Sequence, residues 1–217
     1  MNNLYTLLMI DDHPLFRRGV LQLLSECADF QTIGEASSGM EGLKLAAKLN
    51  PDIILLDLNM QDMNGIEVLK RLKASESEAK VVMLTVSDDA TDLVAALRAG
   101  ADGYLLKEMD PDELCGKLMR VACGDVILSE RLTQLLAHAM REQNTPRPPD
   151  EAGLTEQERR ILEYIAQGKS NKLIARELGI SDGTVKVHVK HLLRKLNLHS
   201  RLEAAVWVAA SRKRANE

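Results

Sequence analysis

Over the first 125 residues, short apolar runs alternate with stretches whose hydrophobic positions recur every three or four residues. The runs are 4–10, 31–36, 53–56, 81–84 and 104–106, and the helical stretches are 14–25, 39–49, 64–72, 91–99 and 110–122. In 14–25, Phe16, Val20, Leu23 and Leu24 share one helical face, and Pro14 suits a first turn. Alternating strand and helix predicts right-handed crossovers and a parallel sheet covered on both faces. The unbroken run Ile53-Ile54-Leu55-Leu56 agrees, because a strand buried on both faces need not alternate.

The pattern changes after residue 152. A helix opens at Thr155 with a capping box to Glu158, buries Ile161, Leu162 and Ile165, and ends at Gly168. A second helix spans 170–178, with Leu173, Ile174 and Leu178 inward. The turn Gly179-Ile180-Ser181 then leads to a third helix over 182–196. Two helices around such a turn are a helix-turn-helix signature. At about 100° per residue, Val185, Val189, Leu192, Leu193 and Leu196 face the core. The opposite side presents Val187, Lys190, His191 and Arg194, flanked by Lys186. A solvated basic face would explain the charges, but not Val187, which could touch a thymine methyl. Between the halves, 142–151 holds three prolines among polar residues and reads as a linker. The expected organisation is therefore 1–125, a connecting segment 126–152, and 153–217.

Charge supports that division. The 217 residues carry a net charge of −4, yet 1–125 hold 12 basic against 21 acidic residues and 151–217 hold 13 against 8. A basic second half suits nucleic acid. The composition is ordinary for a globular protein, with 45% hydrophobic residues, and no apolar run approaches the ~18 residues of a membrane span. The N-terminal residues lack a secretory pattern, so a cytoplasmic protein is expected. Cys27, Cys115 and Cys123 are odd in number and lack metal-ligand spacing, which predicts small buried hydrophobes and no disulfide.

Each apolar run of the first half ends in a polar residue. Asp11 and Asp12 follow the first, Asp57 the third, Thr85 the fourth and Lys107 the fifth. In an open α/β sheet these strand ends form the ligand-binding rim. Three carboxylates crowded together repel one another unless a cation is present. Hard oxygen ligands in small number suit Mg²⁺. Any one of these residues alone has a bland reading, Asp12 as a helix cap above all. Their joint placement does not.

The segments Met9-Ile10-Asp11-Asp12-His13-Pro14, Leu55-Leu56-Asp57-Leu58-Asn59-Met60, Leu84-Thr85-Val86-Ser87 and Gly100-Ala101-Asp102-Gly103-Tyr104-Leu105-Leu106-Lys107 resemble the receiver domain of two-component response regulators. That resemblance implies a flavodoxin-like, five-stranded doubly wound sheet. It implies that Asp57 accepts a phosphoryl group from a sensor histidine kinase. Asp12, Asp57 and the Asn59 carbonyl would hold Mg²⁺, with Asp11 acting directly or through water. Thr85 and Lys107 would contact the phosphoryl oxygens, and Tyr104 would change rotamer. Two positions depart from the family pattern: Gln61 and Glu108 stand where proline is usual.

The second half resembles the LuxR-type helix-turn-helix of NarL/FixJ regulators, an all-α domain. The matching residues are Leu154-Thr155-Glu156-Gln157-Glu158, Ser170-Asn171-Lys172-Leu173-Ile174-Ala175 and Thr184-Val185-Lys186-Val187-His188-Val189-Lys190. The segments Leu198-His199-Ser200-Arg201 and Glu203-Ala204-Ala205-Val206-Trp207 look closest to nitrate/nitrite regulators. The resemblance implies double-stranded DNA contacts by Lys186, Val187 and Lys190, with Thr184 and Arg194 beside them. It also implies a homodimer on DNA paired through the last helix, and RNA polymerase as a further partner. Trp207 fits core better than interface. The expected protein is a regulator and not an enzyme, although an aspartyl-phosphate phosphatase or a regulator with a degenerate receiver would share parts of the pattern. The acidic half is also expected to dock on the basic third helix and keep it from DNA.

Overall fold

A computed structural model describes residues 4–75, 77–87, 89–125, 152–198 and 200–215, with side chains as far as 208. The first half alternates strand and helix throughout. Its elements are β1 (Tyr5–Ile10), α1 (Pro14–Ser25), β2 (Phe30–Ala36), α2 (Gly39–Leu49) and β3 (Ile53–Leu56), then α3 (Gly65–Ala74), β4 (Lys80–Thr85), α4 (Ala90–Arg98), β5 (Gly103–Leu106) and α5 (Pro111–Ala122). All pairs are parallel, in the order β2-β1-β3-β4-β5. The chain reverses direction across the sheet at β1, so a crevice opens at the carboxyl ends of β1 and β3.

The strands explain their own apolarity. Leu8, Ile10, Ile54, Leu56, Val81 and Met83 pack on one face with Val68, Leu69, Leu93 and Leu97 of α3 and α4. Leu7, Met9, Ile53, Leu55, Val82 and Leu84 pack on the other with Val20, Leu24, Leu114 and Leu118 of α1 and α5. Successive residues face opposite layers, and both layers are covered. Helix starts follow local chemistry. Ser38, Asn64, Asp89 and Asp110 each accept a backbone N–H at the head of α2, α3, α4 and α5.

The expectation of unpaired cysteines is corrected here. Cys27 and Cys115 are joined as a disulfide between the end of α1 and α5, 88 residues apart in sequence. Both helices lie on the same face of the sheet, a proximity that spacing along the chain does not reveal. Cys123 is free and exposed.

The second half is helical, with α6 (Glu156–Ala166), α7 (Asn171–Leu178), α8 (Asp182–Leu196) and α9 (Arg201–Ala215). The capping box between Thr155 and Glu158 is present, and Ser170 and Ser181 cap α7 and α8. Gly179 ends α7 with φ 67°, a left-handed conformation that lets α8 start within three residues. Ile161, Ile165, Ile174, Val185, Leu192, Leu196 and Trp207 form the core, so Trp207 is a core residue. Leu173 is not inward as expected: it is 48% exposed. On so short a helix Ile174 and Ala175 take the buried stripe, and Leu173 lies about 100° to one side. The last helix runs to Ala215. The expected connecting segment lies outside the described residues except for Ala152.

A charged cluster ties α3, β4 and the turn before β5. Asp102 accepts from Lys73 Nζ at 2.6 Å, Lys80 Nζ at 3.0 Å and the Val81 N–H at 3.0 Å. Burial opposes charge on Asp102, but Lys80, Lys73 and the Val81 N–H outweigh it and hold the pKa below the usual carboxylate value. Such a group contributes its stability in full above its unfolded pKa of ~3.9 and loses it as pH falls through the folded value. Asp102→Asn should cost about 1.5–3 kcal/mol at pH 7. The gap from the parent protein should shrink below about pH 4. Urea unfolding at pH 7 and at acid pH checks both statements.

Candidate functional site

The five predicted rim residues converge. Asp11 and Asp12 follow β1, Asp57 follows β3, Thr85 ends β4 and Lys107 follows β5. Asp11 and Thr85 are fully buried and Asp57 is 1% exposed. Lys107 Nζ stands 2.9 Å from Asp11 Oδ2 and 2.8 Å from Asp57 Oδ2. Its ammonium also lies 4.6 Å from the Phe16 ring centroid, an apolar wall that weakens screening of the pair. The Lys107 N–H donates to the Thr85 carbonyl at 2.8 Å and fixes where the side chain departs.

Gly65 sets the depth of Asp57. A Cβ at Gly65 would stand 2.1 Å from the Asp57 carbonyl oxygen, so the head of α3 can cross there only without a side chain. The Asn59 N–H donates to Asp57 Oδ1 at 3.3 Å. Asp12 is not a helix cap. His13 takes the N-cap position of α1, and Asp12 Oδ2 accepts the Gln61 N–H at 2.9 Å. A proline at 61 would lack that donor, so Gln61 adds a contact and removes none of the reactive groups. The Lys107–Glu108 peptide is trans, as is every described bond.

His13 is the site residue that sequence reasoning missed. Its Nδ1 lies 2.9 Å from Asp12 Oδ1, 3.4 Å from Asp11 Oδ1 and 3.6 Å from Asp57 Oδ2. The signal available was adjacency: it follows directly on the carboxylate pair. Even so, charge is left uncompensated. Three carboxylates share one ammonium and one exposed imidazole: Asp11 Oδ2 and Asp57 Oδ2 face Lys107 Nζ, and Asp12 Oδ1 faces His13 Nδ1. Burial raises the Asp57 pKa above its usual value, and Asp11 pushes the same way against Lys107 and the Asn59 N–H. Potential ligand atoms of Asp11, Asp12, His13 and Asp57 all lie within 4.8 Å of one another. Hard carboxylate oxygens in a compact group, with one ammonium among three acids, fit a divalent cation such as Mg²⁺, as receiver domains bind it.

Two expected switch residues meet at Ser87. Thr85 Oγ1 accepts the Ser87 N–H at 3.0 Å, and the fully buried Tyr104 donates its hydroxyl to the Ser87 carbonyl at 2.9 Å.

On α8, Thr184, Lys186, Val187, Lys190, His191 and Arg194 are all exposed. Val187 is 53% exposed, and Lys186 Nζ lies 3.6 Å from Asp182 one turn earlier. The expected docking of this helix on the acidic half is therefore corrected. The halves meet instead through α9, whose Leu202 and Val206 pack into the sheet-side core that includes α4. Apolar burial at this contact outweighs diffuse charge attraction, which salt screens within about 8 Å.

A model of the response regulator receiver domain matches residues 7–119, and one of the LuxR family of bacterial regulatory proteins matches 152–208. The chain is a response regulator of the NarL/FixJ family. It is 51% identical to the nitrate/nitrite response regulator NarL of Escherichia coli (strain K12), over 95% of this chain and 96% of that protein. It is 47% identical to a nitrate/nitrite response regulator homologue of Haemophilus influenzae, over 95% and 97% of the two chains. Among solved structures it resembles the response regulator ChrA of a heme-sensing two-component system (30% identity, TM-score 0.53, 99% of both chains). A DNA complex of RcsB at 22% identity and TM-score 0.58 shares the fold. Members of the NarL/FixJ family are transcription regulators with a DNA-binding domain, and no described helix of this one is long and apolar enough to cross a membrane.

Lys107→Met would leave two buried carboxylates without their ammonium. The receiver half should lose about 3–5 kcal/mol in metal-free buffer. Millimolar Mg²⁺ should restore part of it by binding the folded state alone. Thermal melts with and without Mg²⁺ measure both effects.

Proposed function

We propose that Asp57 accepts a phosphoryl group from a sensor histidine kinase and that the phosphorylated chain binds DNA as a dimer to alter transcription. The observation that carries this reading is Lys107 Nζ between the buried Asp11 and Asp57 carboxylates, with Asp12 and His13 beside them. A phosphoryl transition state needs charge neutralised and groups aligned more than covalent help. Asp57 supplies the nucleophilic oxygen, and Lys107 supplies positive charge for the incoming oxygens. The Thr85 hydroxyl lies on the same rim to donate to them. Asp12, Asp57 and the Asn59 carbonyl would hold Mg²⁺, with Asp11 close by, and the ion supplies charge neutralisation when bound. Tyr104 lies ready to follow a movement of the Ser87 peptide.

On the DNA side, Lys186, Val187 and Lys190 would face bases, and Thr184 and Arg194 the flanking backbone. Nitrate or nitrite as the upstream signal follows the relatives named above, and RNA polymerase is the partner that regulation of transcription implies. Residues 1–125 would act as the receiver, 126–152 as the connection and 153–217 as the DNA-binding domain, in a cytoplasmic protein. The α9 contact with the receiver covers a helix that would otherwise pair two DNA-bound copies, so control would act on dimerisation more than on the exposed α8.

Incubation with acetyl phosphate and Mg²⁺, followed by intact-mass measurement, tests the acceptor. One phosphoryl group should be gained, and Asp57→Asn and Asp12→Ala should each abolish it. Labelling of Asp57→Asn at the parent rate overturns the assignment.

Operator binding by the phosphorylated chain tests the reader. Lys186→Ala and Lys190→Ala should each cost ~1–3 kcal/mol if they read bases. Val187→Ala should relax preference at one base pair with little change in salt dependence. Unchanged binding in all three would exclude α8.

A further inference from the structure

The phosphoacceptor rim and the DNA-reading face leave one reactive pair of side chains unused. Cys27 lies two residues beyond α1, and Cys115 sits in the second turn of α5. Their Cα atoms are 6.4 Å apart, inside the ~4.4–6.8 Å that a disulfide spans. Both side chains are half-buried against the core layer between the sheet and these two helices. Small thiols can therefore reach them, while packing holds the sulfurs together. From where Cys27 Sγ lies, a thiol donates to the Leu23 carbonyl at 3.3 Å, so the reduced form also has a satisfied position. Neither redox state needs the backbone to move.

Cys123 does not compete. Eight residues further along the same helix, it stands about 12 Å from Cys115 along the axis. It is exposed and shares a side-chain hydrogen bond with Tyr5 at the start of β1. A Cys27 within bonding reach of Cys115 is out of reach of Cys123.

We propose that Cys27 and Cys115 are a reversible dithiol–disulfide modification site, oxidised by small-molecule disulfides of the glutathione class. The thiolate of one cysteine attacks a sulfur of the small disulfide and forms a mixed disulfide. The first small thiolate leaves and takes up a proton. The second protein thiolate then attacks the protein sulfur of that mixed disulfide and expels the second small thiol. Two protein thiols become one S–S bond. Two electrons and two protons pass to the small disulfide, which ends as two thiols. Excess small thiol drives the same steps backwards.

The bond would staple the helix that follows Asp11 and Asp12 to the helix that follows Lys107. It closes a loop of 88 residues, so it restricts the unfolded chain far more than the folded one. The oxidised protein should therefore melt at least about 5 °C above the reduced one. Nothing in this site depends on phosphorylation of Asp57, so its test stands apart from that of the acceptor.

The full-length chain is equilibrated in buffers of varied reduced-to-oxidised glutathione ratio, quenched with acid, alkylated and analysed by intact mass and peptide mapping. The expected product has lost two hydrogens, contains a Cys27–Cys115 cross-linked peptide and carries the alkyl label on Cys123. Excess reduced glutathione should return all three thiols. Cys123→Ser should leave the cross-link and the melting shift intact. Cys27→Ala and Cys115→Ala, each melting near the reduced parent, should abolish both. Glutathione adducts without the cross-link, a cross-link to Cys123, or a dithiol that survives oxidised glutathione would each overturn the proposal.

Discussion

The ammonium of Lys107, held between Asp11 and Asp57, is the contact on which the rest of the receiver half is arranged. Three carboxylates cannot be buried together without a cation, and the strand order brings their backbones to one crevice. The Lys107 backbone is fixed by the Thr85 carbonyl, and Asp57 can sit deep only because Gly65 has no side chain. One ammonium still does not balance three acids. His13 approaches all of them but stays largely exposed. The site is thus built short of positive charge. Binding a cation costs little reorganisation there, because the ligands already converge.

The same rim connects outward through a single residue. Ser87 gives its N–H to Thr85, its carbonyl to Tyr104, and its hydroxyl to Asp92 of α4 at 2.6 Å. If the Thr85 hydroxyl turns toward a new acceptor at Asp57, the Ser87 N–H is released. That N–H would then need a new partner, and a shift of the half-buried turn can supply one. Tyr104 and the first turn of α4 are bonded to that turn. α4 is also the helix that α9 meets. A contiguous chain of hydrogen bonds and packing therefore joins Thr85 at the rim to the contact between halves.

Most of the fold was legible because periodicity records burial. Ile53–Leu56 reads as a strand covered on both faces, and alternate residues do enter opposite layers. The helix-turn-helix was legible from caps, since Thr155, Ser170 and Ser181 each do what their position suggests. The rim was legible because strand ends of a parallel sheet share one edge. The failures share a cause. His13 over the carboxylates, Cys27 beside Cys115, and α9 on the receiver all depend on how separate elements are packed, which local pattern does not encode. Leu173 failed differently, because on so short a helix a shift of one residue moves a side chain out of the core.

The contact between the halves is weak by its own chemistry. Leu202 and Val206 bury apolar surface there, but Arg201 beside them is poorly served. Its guanidinium donates to Asn171 Oδ1 at 2.8 Å and to the Lys169 carbonyl, within its own half, while its buried Nε has no acceptor among the described residues. Burial lowers its pKa to about 10, and Asp125 at the end of the receiver offsets this only in part. The adjoining pocket between the halves is lined by Lys80, Asp102, Asp125 and Arg201, so charge faces charge across it. Burying a partly satisfied cation costs energy, which works against the roughly 1.5–3 kcal/mol that each of the two aliphatic side chains contributes. An interface balanced in this way can open for a small change in the receiver. A fully apolar interface of the same size could not. The arrangement suits a helix that must be held by the receiver in one state and free in another.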